Sequence, residues 1–274
     1  MKIANWLTAN TKKLQDAQIP TPRLDCLVLL QDLLGKNKAF IISHPEIELE
    51  SQQLNSLDRS IKIRANHTPL SYIRGKTEFY GREFIVNKNV LEPRPESETI
   101  IDVLKSIEPS SIIIDVGTGS GALAITANLE LATPNIIGVD IDDQCLKIAT
   151  ENSKKLEANV TFRNSNLLSS ISKEELKNAI LLANLPYVPD SHRLNQAAQN
   201  EPKLAIFGGT DGLDLYRSLF EQIKSLNSYP NFIITESLPY QHNSLEEIAN
   251  TYGFNLVKAD DFIQVFTPAE KLRA

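Results

Sequence analysis

Ser111-Ile112-Ile113-Ile114-Asp115-Val116-Gly117-Thr118-Gly119-Ser120-Gly121-Ala122 is the stretch that decides the fold. Its first half is a short β-branched apolar run, the pattern of a strand buried on both faces of a parallel sheet. It enters three alternate glycines and then Ala122-Leu123-Ala124-Ile125, a run of good helix formers. Strand, glycine turn and helix in that order let a backbone approach a ligand closely and aim helix N–H groups at it. Two later strand ends fall in step with it. Gly138-Val139-Asp140 sets an acid at the end of the next apolar run, and Leu181-Leu182-Ala183 runs into Asn184-Leu185-Pro186-Tyr187.

Downstream of residue 111 the pattern alternates strand and helix. Strands are predicted at 111–116, 135–140, 159–163, 178–183, 231–235, 253–258 and 261–267, with helices between the first six. This is an α/β chain with a doubly wound, Rossmann-like sheet of seven strands. Only Ala259-Asp260 joins the last two, too little for a crossover helix, so the seventh strand is expected to run antiparallel.

The chain before that point reads differently. Thr21-Pro22 opens a helix with a cap residue and a proline at its first position, and Gly35 closes it. Its apolar set, Leu24, Leu27, Val28, Leu29, Leu30, Leu33 and Leu34, is too wide a face for an isolated helix. A second amphipathic segment spans 49–65, with Leu54, Leu57, Ile61 and Ile63 as candidate core residues. Around Gly81, Glu78 to Val86 carries a hairpin signal, and Leu91-Glu92-Pro93-Arg94-Pro95-Glu96 follows with two prolines. The expected organisation is a small helical domain over 1–75, a hairpin and linker over 76–95, and the sheet domain over 96–274. The long stretch 188–206, poor in large apolar residues, is expected to be a surface loop that orders over a substrate.

Composition narrows the classes. With 28 Lys and Arg against 34 Asp and Glu, the formal charge is -6, which disfavours a large nucleic-acid footprint. Cys26 and Cys145 fall in different predicted domains and read as reduced, unpaired thiols of a cytoplasmic protein. His44, His67, His192 and His242 show no ligand spacing, so no metal site is expected. No run approaches the ~20 apolar residues of a membrane span.

The glycine turn by itself leaves two cofactors open. Gly117-x-Gly119-x-x-Ala122 matches a dinucleotide fingerprint, and Gly117-x-Gly119-x-Gly121 matches an S-adenosylmethionine loop; Asp140 can accept from ribose hydroxyls in either. Asn184-Leu185-Pro186-Tyr187 separates them. The Asn184 Oδ1 and the Leu185 carbonyl can each accept one N–H of a planar NH2 group, fixing its nitrogen for in-line attack on a sulfonium methyl. Pro186 stiffens the turn, and Tyr187 offers a flat wall. Acceptors on both hydrogens favour the pyramidal, more positive transition state of a weakly nucleophilic amide nitrogen.

On these residues the chain resembles the release-factor glutamine methyltransferases. The resemblance runs through Arg23-Leu24-Asp25, Pro69-Leu70-Ser71-Tyr72-Ile73-Arg74-Gly75, Glu78-Phe79-Tyr80-Gly81 and Pro93-Arg94-Pro95-Glu96-Ser97-Glu98. It continues through the glycine loop, Asn184 to Tyr187, Glu201-Pro202 and Gly208-Gly209-Thr210-Asp211-Gly212-Leu213 with Tyr216-Arg217. It implies a class I methyltransferase fold with S-adenosyl-L-methionine as cofactor. The implied activity is methylation of the side-chain amide of the glutamine in a Gly-Gly-Gln loop of peptide chain release factors. By the same resemblance Gly117, Thr118, Gly119, Ser120, Gly121, Asp140, Asn166, Leu167 and Asn184 would hold the cofactor. Asn184, Leu185, Pro186 and Tyr187 would hold the glutamine and carry the transfer, and the helical domain would help grip the release factor. The expected enzyme is a monomer with a protein substrate, no direct nucleic acid and no membrane.

The chain departs from the family's usual pattern at Leu185, where proline is common, and at Asn166-Leu167, where an acid and an aromatic are common. Ser97 stands for the more usual threonine, and no glycine follows Glu236. Two alternatives stay open on sequence: an adenine N6 methyltransferase acting on RNA or DNA, which shares an Asn-Leu-Pro-Tyr form, and a non-catalytic binding protein of the same fold.

Overall fold

The computed structural model describes residues 1–131 and 135–269; the last residues of the expected sheet domain, 270–274, lie outside the described residues. The chain divides into two compact units. One holds Met1–Lys76 with Leu194–Asn200, the other Thr77–Arg193 and Glu201 onward.

The first unit is built from helices α1 (Ile3–Asp16), α2 (Pro22–Leu34), α3 (Lys38–Ser43), α4 (Ser51–Arg64) and α5 (Leu70–Arg74). Trp6, Leu14, Leu30, Ile41 and Ile61 are sealed in its core. Leu24 and Ile63, expected inside, stand 47% and 40% exposed, because the burial stripe of each helix is narrower than its apolar content. Thr21 does not cap α2 with its side chain. Its hydroxyl instead donates to Asp25 Oδ1 at 2.7 Å. The other Asp25 oxygen takes Arg64 Nε at 2.7 Å, an ion pair whose side chains are 8% and 4% exposed, and Arg64 Nη1 donates to the Thr68 carbonyl at 3.0 Å. Leu194–Asn200 closes on this unit, Asn200 Nδ2 donating to the His67 carbonyl at 3.3 Å.

The second unit, from Thr77, opens within a hairpin, β1 (Lys76–Phe79) and β2 (Arg82–Ile85), followed by α6 (Glu98–Ser106). Then come β3 (Ile112–Val116), α7 (Ala122–Glu130), β4 (Asn135–Asp140), α8 (Asp143–Lys155), β5 (Val160–Asn164), α9 (Lys173–Leu176) and β6 (Ile180–Ala183). The chain finishes through α10 (Asp214–Leu226), β7 (Phe232–Glu236), α11 (His242–Thr251), β8 (Phe254–Asp260) and β9 (Ile263–Pro268). The sheet order is β5-β4-β3-β6-β7-β9-β8. Strands β3 to β7 pair in parallel, and β9 runs antiparallel between β7 and β8. The seven predicted strands are all present, each within a few residues of its expected bounds.

Both faces of the sheet are covered, which is why its strands read as unbroken apolar runs. Alternate residues divide between the faces. Ile114, Val116, Val139, Leu181 and Ile233 meet Leu219, Phe220, Ile223 and Leu245 of α10 and α11. Ile113, Ile136, Ile180, Leu182 and Ile234 meet Ile100, Leu104 and Ala124 of α6 and α7, with Phe79 and Phe84 of the hairpin. The order reverses at β3: the chain builds outward through β4 and β5, then returns to β6 on the other side. Ligands of open α/β sheets sit outside the carboxyl ends of the strands at such a point.

Removing one member of a buried ion pair strands the other charge, at a cost of about 3–5 kcal/mol. Arg64→Ala is therefore expected to weaken the helical unit by that amount. Trp6 is the chain's single tryptophan and is buried in that unit, so its fluorescence reads the urea transition. An unshifted Trp6 transition would reject a stabilising role for the pair.

Candidate active site

Four strands, β3, β4, β6 and β7, deliver their carboxyl ends to one edge of the sheet, and the candidate residues are built there from below. At the end of β3, buried Asp115 accepts from Thr118 Oγ1 at 2.6 Å and from the Ala124 N–H at 3.1 Å. It thereby ties the glycine turn to the first turn of α7. Gly117, Gly119 and Gly121 take positive φ to make the bend. The Gly117 and Thr118 N–H groups donate to the Val139 carbonyl at 2.8 and 2.9 Å, and the Gly121 N–H donates to the Thr118 carbonyl. The Gly119 N–H meets Asp140 Oδ2 at 2.9 Å, while Asp140 Oδ1 takes the Asp142 N–H at 3.0 Å. Four N–H groups of the turn are thus satisfied within the protein.

One cleft collects most of the sequence-predicted residues. Gly117, Gly119, Asp140, Asn166, Leu167, Asn184, Leu185 and Pro186 all line it. Thr118, Ser120, Gly121 and Tyr187 are not among its lining residues; Thr118 and Ser120 are buried. Leu167 holds a left-handed φ of 52°, uncommon for a residue with a branched Cγ, while Asn166 beside it is exposed. Apolar side chains the sequence did not single out complete the wall: Leu91, Leu204 and Leu215.

Asn184, the residue after β6, has both hydrogens of its Nδ2 in use, one toward Ser97 Oγ at 2.8 Å and one toward Glu236 Oε2 at 3.1 Å. Ser97 Oγ donates to the same Glu236 oxygen at 2.6 Å, and the Tyr187 hydroxyl donates to Glu236 Oε1 at 2.9 Å. Glu236, the last residue of β7, is 1% exposed. Burial pushes its carboxyl above the ordinary value, with the hydrogen bonds from Ser97 and Tyr187 pulling back. Burial, then the Glu236 charge, raises the Tyr187 phenol in turn. Tyr216 brings its hydroxyl between the carbonyls of Ala183 and Glu236, at 3.0 and 2.5 Å, and so holds the ends of β6 and β7 together.

The turn over 184–187 is cast against Gly208–Leu213. A Cβ on Gly208 would lie 2.2 Å from the Pro186 carbonyl oxygen, and one on Gly212 would lie 2.0 Å from that of Tyr187. No side chain fits either contact, so these positions demand glycine. Gln241 Nε2 locks the arrangement, donating to the carbonyls of Tyr187 at 2.8 Å and Asp211 at 2.7 Å. Arg94, from the predicted junction, forms an ion pair with Glu201, whose side chain is 2% exposed. Sequence reasoning missed Asn152, Glu236 and Gln241 as supports. Asn152 Nδ2 binds the carbonyls of Ser120 and Ile85, and its Oδ1 accepts from the Ile85 N–H at 2.6 Å. Only Glu236 carried a signal: it ends an apolar run as Asp140 does.

A family model described as the PrmC N-terminal domain matches residues 5–75, and one described as ribosomal protein L11 methyltransferase matches residues 98–186. The chain is similar to the release factor glutamine methyltransferase of Koribacter versatilis, 38% identical over 218 residues that cover 77% of this chain and 78% of the relative. The corresponding protein of Coxiella burnetii is 31% identical over 249 residues, covering 89% and 86%. The T. thermophilus 16S rRNA N2 G1207 methyltransferase, solved with AdoMet and guanosine, matches with a TM-score of 0.50 at 15% identity, over 71% of this chain and 50% of that one. That last likeness is one of fold, the sheet and flanking helices of class I methyltransferases.

Two expectations follow from the geometry. Gly212→Ala drives a methyl into the Tyr187 carbonyl and should displace the 184–187 turn, visible in hydrogen exchange as a loss of protection at the Val188 amide, which donates to the Ile206 carbonyl at 3.0 Å; unchanged protection refutes the packing argument. Burial raises the Asp115 carboxyl from 3.8 to about 6, opposed by the bonds from Thr118 and Ala124. Across that window the folded protein holds a proton that the unfolded chain has lost, so ionisation of Asp115 costs stability as pH rises. The urea midpoint of Asp115→Asn relative to the parent should therefore move in the variant's favour between pH 4 and 6.5. A difference independent of pH rejects the assignment.

Proposed function

We propose that this chain, which belongs to the release factor glutamine methyltransferase family, transfers a methyl group from S-adenosylmethionine to the side-chain amide of a release-factor glutamine. The observation that carries the reading is that Asn184, Leu185 and Pro186 share one cleft with Gly117, Gly119 and Asp140. An acceptor pair for an NH2 group and a cradle for a nucleoside thus open into the same space.

The donor set fits a cofactor without phosphates. A pyrophosphate needs free N–H groups at the turn, and those of Gly117, Thr118, Gly119 and Gly121 are already engaged. Each Asp140 oxygen accepts one backbone N–H and keeps a further lone pair, suited to a ribose hydroxyl. The apolar wall of Leu91, Leu204 and Leu215 suits the flat face of a base. S-adenosylmethionine bound there supplies a methyl group on a sulfonium, a leaving group strong enough that no base need act first. Asn184 Oδ1 and the Leu185 carbonyl accept from the two hydrogens of the glutamine amide and hold its nitrogen in line. As that nitrogen turns pyramidal and positive, both acceptors bind it more tightly than they bind the ground state.

The helical unit, matched by the family's N-terminal domain model, is the part we assign to gripping the release factor. The net charge of -6 weighs against RNA or DNA as acceptor.

Incubation with labelled cofactor and a release factor, followed by peptide mass spectrometry, should place a methyl on the Gly-Gly-Gln glutamine. Label entering ribosomal RNA instead, or no label in any acceptor, rejects the reading. Asn184→Ala is expected to lower kcat on the order of 10²-fold while calorimetry shows S-adenosylmethionine still bound. Asp140→Ala should do the reverse, weakening cofactor binding about tenfold or more through lost charge-assisted hydrogen bonds.

A further inference from the structure

Asparagine is an ambiguous ligand: its amide can offer a donor or an acceptor to a substrate depending on which way it is flipped. A site meant for an NH2 group works only if that choice is made in advance. At the end of β6 the neighbours make it. Glu236, when ionised, can only accept. The single hydroxyl hydrogen of Ser97 is spent on Glu236 Oε2 at 2.6 Å, so Ser97 too can only accept from Asn184. With the amide nitrogen facing them at 2.8 and 3.1 Å, both of its hydrogens find a partner. Flipped, the amide oxygen would face the ionised Glu236 carboxylate, which has no hydrogen to give, and could take the Ser97 hydrogen only by removing it from Glu236, so one acceptor is left unpaired in a desolvated setting, which is costly.

We propose that Glu236, acting with Ser97, is the positioning residue that fixes Asn184 as an obligate acceptor, and that this sets the site's selectivity for NH2-bearing acceptors over carbonyl-bearing ones. The inference rests on the reading of Asn184 given above, but it concerns the orientation of one side chain and stands on groups outside the reacting atoms. The same carboxylate also takes the Tyr187 hydroxyl at 2.9 Å, so one buried anion orients both ends of the 184–187 turn. The charged and titratable groups facing it are Tyr187, Tyr216 of α10 and Glu96 of the turn before α6. Arg94, whose charge reaches Tyr187, is held by Glu201. Burial raises the Glu236 carboxyl. As pH falls through its folded value it gains a proton, becomes able to donate to a flipped Asn184, and the acceptor is lost.

The test begins with the free protein. Side-chain amide exchange of Asn184, followed by NMR, should be slow in the parent and faster by at least about tenfold in Glu236→Gln, whose own NH2 can donate to the flipped oxygen. In turnover, Glu236→Gln should lower kcat at least about tenfold with S-adenosylmethionine affinity unchanged. The acid limb of the parent's kcat–pH profile should vanish in the variant. Parent-like exchange together with a parent-like pH profile in Glu236→Gln overturns the proposal. Should that variant fail to melt cooperatively, Ser97→Ala and Ser97→Thr decide. Faster exchange in the alanine variant, largely restored by the threonine hydroxyl, supports the relay, and no difference between them rejects it. If the parent methylates no glutamine, the functional reading falls, while the exchange measurement still judges the orientation of Asn184.

Discussion

Ile114 of β3 lies between Ile137 of β4 and Leu181 of β6, in parallel register with both. The candidate site rests on that double pairing. Because all three strands run the same way and start in step, the residues that follow Val116, Asp140 and Ala183 emerge on one edge. Fully burying each of the isoleucines and leucines along these strands is worth about 1.5–3 kcal/mol, so the register is held by the core and not by the site. A slip of one residue in β6 would exchange Leu181 and Ala183 for Leu182 between the two faces and carry Asn184 out of the cleft.

Above that edge the geometry is set by polar contacts that the core makes possible. Asp115 and Asp140 fasten the glycine turn from two sides; Glu236 fastens Asn184 and Tyr187. Each of these carboxyls is buried enough to be raised by desolvation, a cost in folding that the surrounding donors offset in part. Such groups kept at strand ends are the mark of a place where position matters more than stability. The Gly208–Leu213 stretch and Gln241 supply the complementary mould, with backbone approaching backbone too closely for any side chain.

Much of this was legible from residue order. Three apolar runs, each ending in a chemically distinct group, located the sheet and the cleft, and the short link at Ala259-Asp260 gave the antiparallel β9. The misses have physical causes. Leu24 and Ile63 are apolar by type, yet periodicity says which residues share a face and not how wide the partner's face is. Thr21 stands where a capping residue stands, but a buried carboxylate four residues on, Asp25, made a better partner for its hydroxyl than an N–H did. Asn152, lying in a polar-looking helix, gave no hint that it joins β2 to the glycine turn across 67 residues of chain.

What the sequence determined by itself was the alternation of strand and helix, the residue types at the strand ends and hence the class of chemistry they can perform, because these follow from local pattern and covalent identity. What only the tertiary structure decided was direction. That the N–H groups at Gly117, Thr118 and Gly119 turn toward neighbouring protein oxygens, and that the Asn184 amide turns its nitrogen toward Ser97 and Glu236, depends on partners 21 to 87 residues distant in the chain. Hydrogen-bond roles are settled by which donors and acceptors a fold brings together, and a linear string does not contain that distance.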